Sequence, residues 1–402
     1  MNQKYLLSVI IPTKNREEYA IMAVEQILGI ECDELQVIVQ DNSITDSLSN
    51  SIKIFSFDKR LKYNRVHKEI SFVENFSIAI SLADGEYLCL IGDDDGVLPQ
   101  IIDAVRWAKN NNIDALRPEM SIVYFWPKST AIKNKPDNGY LHIGKMEISA
   151  TVFEPKYEVI KLIQRGCIDY LSLEMVKLYH GIIRRSCMDN VYNKIGKYFG
   201  GLSPDIYSSV ALSLTTKKVI KLGFPLTISG ICNQSGSADS ANGKHKGKFE
   251  NAPHFRGHIN YEWSSQVPKI YSVETIWADS SLAAIKDLGR SDLLKEFDRK
   301  ALIVDCLFKY PEYRKEILSS YFSEESRTLR SRGVILIDQV KYFLKYFTMR
   351  VFRRLTLFLD TSIKVQGVMN IKDAIQLLSN NYSDRIWNGS ALNISRNNRK
   401  DL

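Results

Sequence analysis

Three observations predict an α/β protein built on a doubly wound, mostly parallel sheet flanked by helices, with a helical C-terminal region. Over about the first 120 residues, short apolar runs alternate with segments of helical length and composition. The runs are continuously apolar rather than alternating, as in strands covered on both faces. Polar loops rich in carboxylates follow several of these runs, at the strand ends where such sheets bind ligands.

The elements follow in order. Residues 6–11 are the first predicted strand, and residues 16–28 form a helix that Gly29 stops. Residues 36–39 and 61–66 read as further strands. A helix over 72–82 ends at Asp84-Gly85, and residues 86–91 form the next strand. A helix over 98–110 leads to a short strand at 114–116. Less regular sequence continues to residue 231, with a strand at 122–126 and helices at 159–165 and 204–214. Residues 233–257 are polar and rich in glycine, which reads as a long loop of the kind that covers active sites. From about residue 270 onward helical patterns dominate.

Composition narrows the class. Hydrophobic residues are 45% and charged residues 25% of 402, the balance of a globular protein large enough for two domains. The net charge of +8 fits an anionic partner or simply a soluble basic surface. Six scattered cysteines form no CxxC pair, so neither a zinc cluster nor a redox motif is expected. The N-terminal apolar run is short and meets Pro12, unlike a signal peptide. No run of 18 uncharged apolar residues predicts a membrane-spanning helix.

The chemistry concentrates in Gly92-Asp93-Asp94-Asp95-Gly96, directly after a predicted buried strand. Three carboxylates at a strand end repel one another unless a cation lies among them. Oxygen ligands of this kind suit Mg²⁺ or Mn²⁺, which also bind substrate phosphates. A solvated acidic turn is the plain alternative. The loops 12–16 and 41–46 fall at neighbouring strand ends, which favours the metal. Farther along, Ser203 is placed to cap a helix that Pro204 begins, so Asp205 falls in its first turn, where the helix dipole favours an ionised carboxylate.

The segments SVIIPTKNR (8–16), VIVQDNSITD (37–46) and SFVENFSIAISLADGEYLCLIGDDDGVLP (71–99) resemble the signature of family 2 glycosyltransferases with the GT-A fold. The resemblance is strong over about 120 residues, weaker over 181–234, and silent over the last 130. It implies an inverting transfer from a nucleoside-diphosphate sugar, with a UDP-sugar the commonest donor, to a hydroxyl of a glycan or lipid-linked glycan in bacterial surface polysaccharide synthesis. Pro12, Thr13 and Arg16 would border the donor, and Asp41 would accept from its base or ribose. Asp93 and Asp95 would be the outer members of the DxD motif, with Asp95 the direct metal ligand and Asp94 in the variable position beside the donor. The segment 201–205 resembles the family's acceptor-side element, which makes Asp205 the general base, with Asp169 and Glu174 as rivals.

On this reading residues 1–232 form the transferase domain, 233–268 a lid, and 269–402 a helical domain open to membrane or oligomer contacts. The lid carries Lys244-His245-Lys246, and His245 is placed to complete the metal shell, against the bland reading of a solvated basic loop. Phe255, Tyr261 and Trp263 offer faces for sugar stacking or else belong to the core. Residues 339–359 contain five Lys and Arg and no acid beside one apolar helical stripe, a pattern that suits an anionic membrane surface or a core-facing helix. No nucleic-acid fold accompanies it, so no nucleic-acid partner is expected. Localisation would be cytoplasmic, peripheral on the inner face of the membrane. A sugar nucleotidyltransferase is the enzymatic alternative, although residues 12–17 lack a glycine-rich phosphate loop. A non-catalytic nucleotide-binding scaffold is the other.

Overall fold

The computed structural model describes residues 4–131, 138–236, 238, 242–243, 245–249, 253–255, 261–322, 337, 340–341, 344, 348, 362–387, 392 and 394–396. Strands β1 (Tyr5–Thr13), β2 (Leu35–Asp41), β3 (Leu61–Arg65) and β4 (Gly85–Leu90) come first. β1 pairs in parallel with β2 and β4, and β2 in parallel with β3. Their carboxyl ends therefore open on one edge, where the loops 12–16, 41–46 and 92–96 meet.

Every residue of β1 and β2 is buried. The reason is two-sided packing: Ile10 and Ile38 join one core cluster, while Val9, Ile11, Val37 and Val39 join the other. Each such side chain contributes roughly 1.5–3 kcal/mol by leaving water, so a polar residue in this run would need a partner. Ser8 has two, since its hydroxyl bonds Gln36 Oε1 at 2.6 Å and accepts from the Gly85 amide at 2.8 Å.

Further along come β5 (Gly96–Val97), β6 (Ala115–Arg117), β7 (Ile122–Phe125), β8 (Tyr140–Ile143), β9 (Ala150–Val152), β10 (Ile182–Arg184), β11 (Val219–Leu222) and β12 (Thr227–Ile231). Then follow β13 (Lys246–Lys248), β14 (Ile270–Ser272), β15 (Ile363–Gln366) and β16 (Ile394–Arg396). The main sheet has the order β16-β9-β11-β6-β10-β4-β1-β2-β3, and a second has β15-β8-β7-β12-β5. β10 runs antiparallel to both neighbours. Helices Glu17–Leu28, Phe72–Ser81 and Ile101–Asn110 connect the parallel strands as expected, the last starting three residues later than the pattern suggested. Ser71 caps the second by accepting from the Glu74 amide at 3.1 Å.

The structure corrects two readings. Within the expected loop 233–257, Lys246–Lys248 is a strand that pairs antiparallel with β14. Past residue 269, helices Val273–Asp287, Arg299–Lys309, Arg314–Phe322 and Ile371–Ile386 form, but β15 and β16 return to the two sheets through β8 and β9. The basic segment 339–359 lies outside the described residues except at 340, 341, 344 and 348. There Val340 and Leu344 are 54% and 56% exposed. No helix among the described residues is long and apolar enough to cross a membrane.

Candidate functional site

The three aspartates after β4 are all buried, yet they divide into two kinds. Asp95 Oδ1 accepts from the Gly230 amide at 2.7 Å. Its Oδ2 accepts from the Gly92 amide at 2.6 Å and the Tyr179 hydroxyl at 2.8 Å, with His180 Nε2 at 3.2 Å. Burial would raise the Asp95 pKa, but the adjacent His180 and these hydrogen bonds outweigh it and hold it below the usual value. Gly230 is obligatory at this contact, because a Cβ there would stand 1.7 Å from the Asp94 carbonyl oxygen.

Asp93 and Asp94 instead turn toward one cation of the protein itself. Arg16 Nη2 lies 3.0 Å from Asp93 Oδ1 and 2.8 Å from Asp94 Oδ1. Thr13 donates to Asp93 Oδ2 at 2.5 Å, and the Cys232 amide to Asp94 Oδ2 at 3.1 Å. Burial, only partly offset by Arg16, pushes the Asp93 carboxyl up to about 7, and it raises Asp94 as well. Arg16 precedes helix Glu17–Leu28, in a loop where Asn15 adopts the left-handed conformation at φ 56°. Pro12 is buried in β1. Lys14 faces away and pairs with Glu69 at 2.8 Å.

This arrangement tests whether a divalent cation fits. Asp93 Oδ1 is buried without a hydrogen-bond donor, and one guanidinium nitrogen stands in for a cation between the two carboxylates. Hard carboxylate oxygens of this kind suit Mn²⁺ or Mg²⁺, with the remaining ligands from phosphates and water. The pair that fits is thus Asp93 and Asp94. Asp95, expected as the direct ligand, has both oxygens engaged within the protein. His245 is not brought to the aspartates either. Its ring neighbours are His254 at 6.5 Å and Tyr271 at 6.1 Å, and it lines a separate cavity of about 420 Å³ with Asp169 and Trp277. Among the described residues no cluster of three or more His, Cys, Asp or Glu is spaced to hold a metal. Strand pairing of residues 246–248 with β14 is what carries His245 elsewhere.

Asp41 is fully buried at the end of β2. Its oxygens accept from the Ser43 amide at 2.7 Å and the Tyr63 hydroxyl at 2.8 Å. It braces the loop between β2 and the next helix, one strand from Thr13.

Asp205 falls in the first turn of helix Pro204–Thr215 as predicted, but Ser203 does not cap this helix with its side chain. The amides of Leu202 and Ser203 instead donate to Ser280 Oγ, each at 3.0 Å. Asp205 Oδ1 accepts from the Tyr170 hydroxyl at 2.9 Å, and the Lys177 ammonium lies 4.8 Å from the Tyr170 ring centroid. Burial raises the Asp205 pKa, against the opposing pull of Lys177, Tyr170 and His180. Asp205 lines a cavity of about 200 Å³ with Tyr179, Phe72, Phe76 and His254. Tyr179 thus touches both halves, lining this cavity and donating to Asp95. The rival Glu174 is ion-paired with Lys221. Phe255, Tyr261 and Trp263 pack against a small core of Leu202, Tyr271 and Ile276, so their bland reading holds.

Sequence reasoning passed over Tyr179 and Gly230 and gave His180 no role in the site. A faint signal was present: Tyr-His-Gly interrupts an apolar stretch, and His180 takes up the left-handed conformation at φ 61°. That conformation costs energy unless its surroundings fix it, and here Nδ1 sits 2.9 Å from Thr227 Oγ1.

Comparison with known proteins places these loops in context. Residues 8–125 match the model of Glycosyl transferase family 2. An uncharacterized glycosyltransferase of Haemophilus influenzae is 27% identical over 121 residues, 29% of this chain and 38% of that protein. The abequosyltransferase RfbV of Salmonella typhimurium is 30% identical over 96 residues, 23% of this chain and 29% of that protein. The chain thus spans well under half the length of these relatives. Among solved structures, residues 1–349 of S. aureus TarS in complex with UDP-GlcNAc align at 14% identity and a TM-score of 0.45, over 79% of this chain and 89% of that one. The mannosyltransferase PcManGT of Pyrobaculum calidifontis, with GDP-Man and Mn²⁺, aligns at 12% identity and a TM-score of 0.36, over 94% of this chain and 87% of that one.

Proposed function

From the match of residues 8–125 to the model of Glycosyl transferase family 2, we propose that this chain moves a sugar, with inversion, from a nucleoside-diphosphate donor to a hydroxyl of a glycan acceptor. The observation that carries this reading is Tyr179, which joins the strand-end aspartates to the cavity wall that bears Asp205. A donor diphosphate at the ends of β1, β2 and β4 and an acceptor hydroxyl at Asp205 would then meet across one tyrosine.

Each residue has a task in this reaction. Asp93 and Asp94 would hold the divalent cation, whose chemistry is to offset negative charge on the departing diphosphate. Thr13 orients Asp93, and Asp95 fixes the turn that carries all three carboxylates. Asp41 and its partners shape the loop beside the nucleotide. Asp205 takes the acceptor proton, and its raised pKa makes its carboxylate a stronger base than that of an exposed aspartate. Phe72 and Phe76 give that wall apolar faces.

Residues 1–232 would act as the transferase unit and 233–268 as its cover. The acceptor class would be a bacterial surface glycan, lipid-linked, with the chain on the inner face of the membrane. The acid-free, basic residues 339–359 and the exposed Val340 and Leu344 support attachment to an anionic surface.

The test is a screen of UDP-, GDP- and TDP-sugars with Mn²⁺, read as nucleotide release with and without glycan acceptors. A productive donor is expected. Asp205→Asn should then lower transfer by about 10²–10⁴-fold, the range for a lost general base, while donor affinity stays within about twofold. Full turnover by Asp205→Asn would remove Asp205 from the role.

A further inference from the structure

We infer that Arg16 and a divalent cation compete for a single seat between Asp93 and Asp94, so that metal entry delivers the Arg16 guanidinium to the donor diphosphate. The inference rests on the function proposed above and assigns how its metal and donor would be linked.

The geometry argues it in three steps. The ion pairs of Arg16 with Asp93 and Asp94, and its 3.1 Å contact with Cys232 Sγ, all run through one nitrogen, Nη2. A cation at that position would draw the same two oxygens, because Mn²⁺ and Mg²⁺ bind carboxylate oxygen at about 2.0–2.2 Å. Guanidinium and metal ion cannot share it, since both bring positive charge to one point.

Beyond Nη2, the guanidinium lies 5.8 Å from the Tyr19 ring centroid but makes no further hydrogen bond through Nε. Arg16 Nε is buried with no hydrogen-bond partner. Its side chain is 19% exposed, whereas Asp93 and Asp94 are nearly fully enclosed. A guanidinium displaced from its carboxylates would carry a full charge and unmatched donors at the edge of the loop 12–16. A diphosphate is the acceptor that matches it, through paired N–H···O bonds. Metal binding and diphosphate binding would then favour one another, and reciprocally by equal factors.

The test measures Mn²⁺ affinity by electron paramagnetic resonance, with and without UDP, on the full chain and on Arg16→Met. Without UDP, Arg16→Met should bind Mn²⁺ roughly tenfold tighter or more, because nothing has to be displaced. UDP should raise Mn²⁺ affinity in the wild type by a larger factor than in the variant. Equal or weaker Mn²⁺ binding by Arg16→Met overturns the inference.

A second measurement needs no variant. Labelling of Arg16 by phenylglyoxal, followed by peptide mass spectrometry, should speed up with Mn²⁺ alone and slow again when UDP is added. Labelling indifferent to Mn²⁺ contradicts the exchange. A wild type that binds UDP but no Mn²⁺ in any combination also overturns it, while leaving nucleotide binding in place. Binding of neither UDP nor any other nucleotide would instead overturn the proposed function.

Discussion

Asp95 accepts from two backbone amides and a tyrosine hydroxyl at 2.6–2.8 Å, with a histidine nitrogen beside them. A carboxylate used in this way ties three parts of the chain together: its own turn, β12 through Gly230, and the segment that carries Tyr179 and His180. Its removal would strand the buried amide of Gly230 and the half-buried amide of Gly92. Asp95→Ala is therefore expected to destabilise the fold by about 3 kcal/mol, the scale for breaking a buried charged network. Urea unfolding midpoints check this, and a change below about 1 kcal/mol would mean that water replaces the carboxylate, at the scale of a single hydrogen bond. Neighbouring residues of one type thus differ in role because of what surrounds each. A run of three aspartates announces a charged site in the sequence, but which of them anchors and which face a cation depends on Gly230, Cys232 and Arg16, from 77 to 138 positions away.

At the scale of elements, helix Val273–Asp287 shows what burial does to a lone carboxylate. Asp279 is 2% exposed, and burial pushes its pKa from 3.8 up to about 6 despite hydrogen bonds from the Ser264 amide and the Tyr261 hydroxyl. The folded state therefore holds this proton more tightly than the unfolded chain. The associated stability is fully present below about pH 4 and is lost as pH rises through about 6. Asp279→Asn should abolish that slope, leaving the mutant gaining relative to wild type by up to roughly 3 kcal/mol between pH 4 and 7. Denaturant titrations at the two pH values measure the difference, and identical slopes for both proteins would contradict it.

The elements also show what was legible in the sequence. β1, β2 and β4 each carry a run of buried apolar residues because both faces are covered, and these runs mark them in the sequence. β13 (KGK), β15 (IKVQ) and β16 (ISR) are short and polar. They exist because a distant edge offers hydrogen bonds: β16 pairs with β9 at residues 150–152, more than 240 positions earlier. No local period reports such a partner. The same holds for His245, whose place follows from the pairing of β13 with β14. The place of Asp205 was legible because the Ser-Pro-Asp start of a helix is a local signal, although Ser203 makes no side-chain cap and Ser280 holds the amides just before the helix.

For the whole molecule, the parallel strands and the irregular middle section have separate duties. The first brings the loops 12–16, 41–46 and 92–96 to one edge, and the second swings Tyr179, His180 and Asp205 over that edge. The central claim is that a donor diphosphate binds at the Asp93–Asp94 edge, under the wall that carries Asp205. A crystal grown with Mn²⁺ and UDP, with data collected at the manganese absorption edge, tests it most directly. The account predicts one anomalous peak about 2.2 Å from carboxylate oxygens of Asp93 and Asp94 and in contact with the UDP phosphates. Nucleotide and manganese bound elsewhere, with Arg16 still seated between the two aspartates, would contradict it.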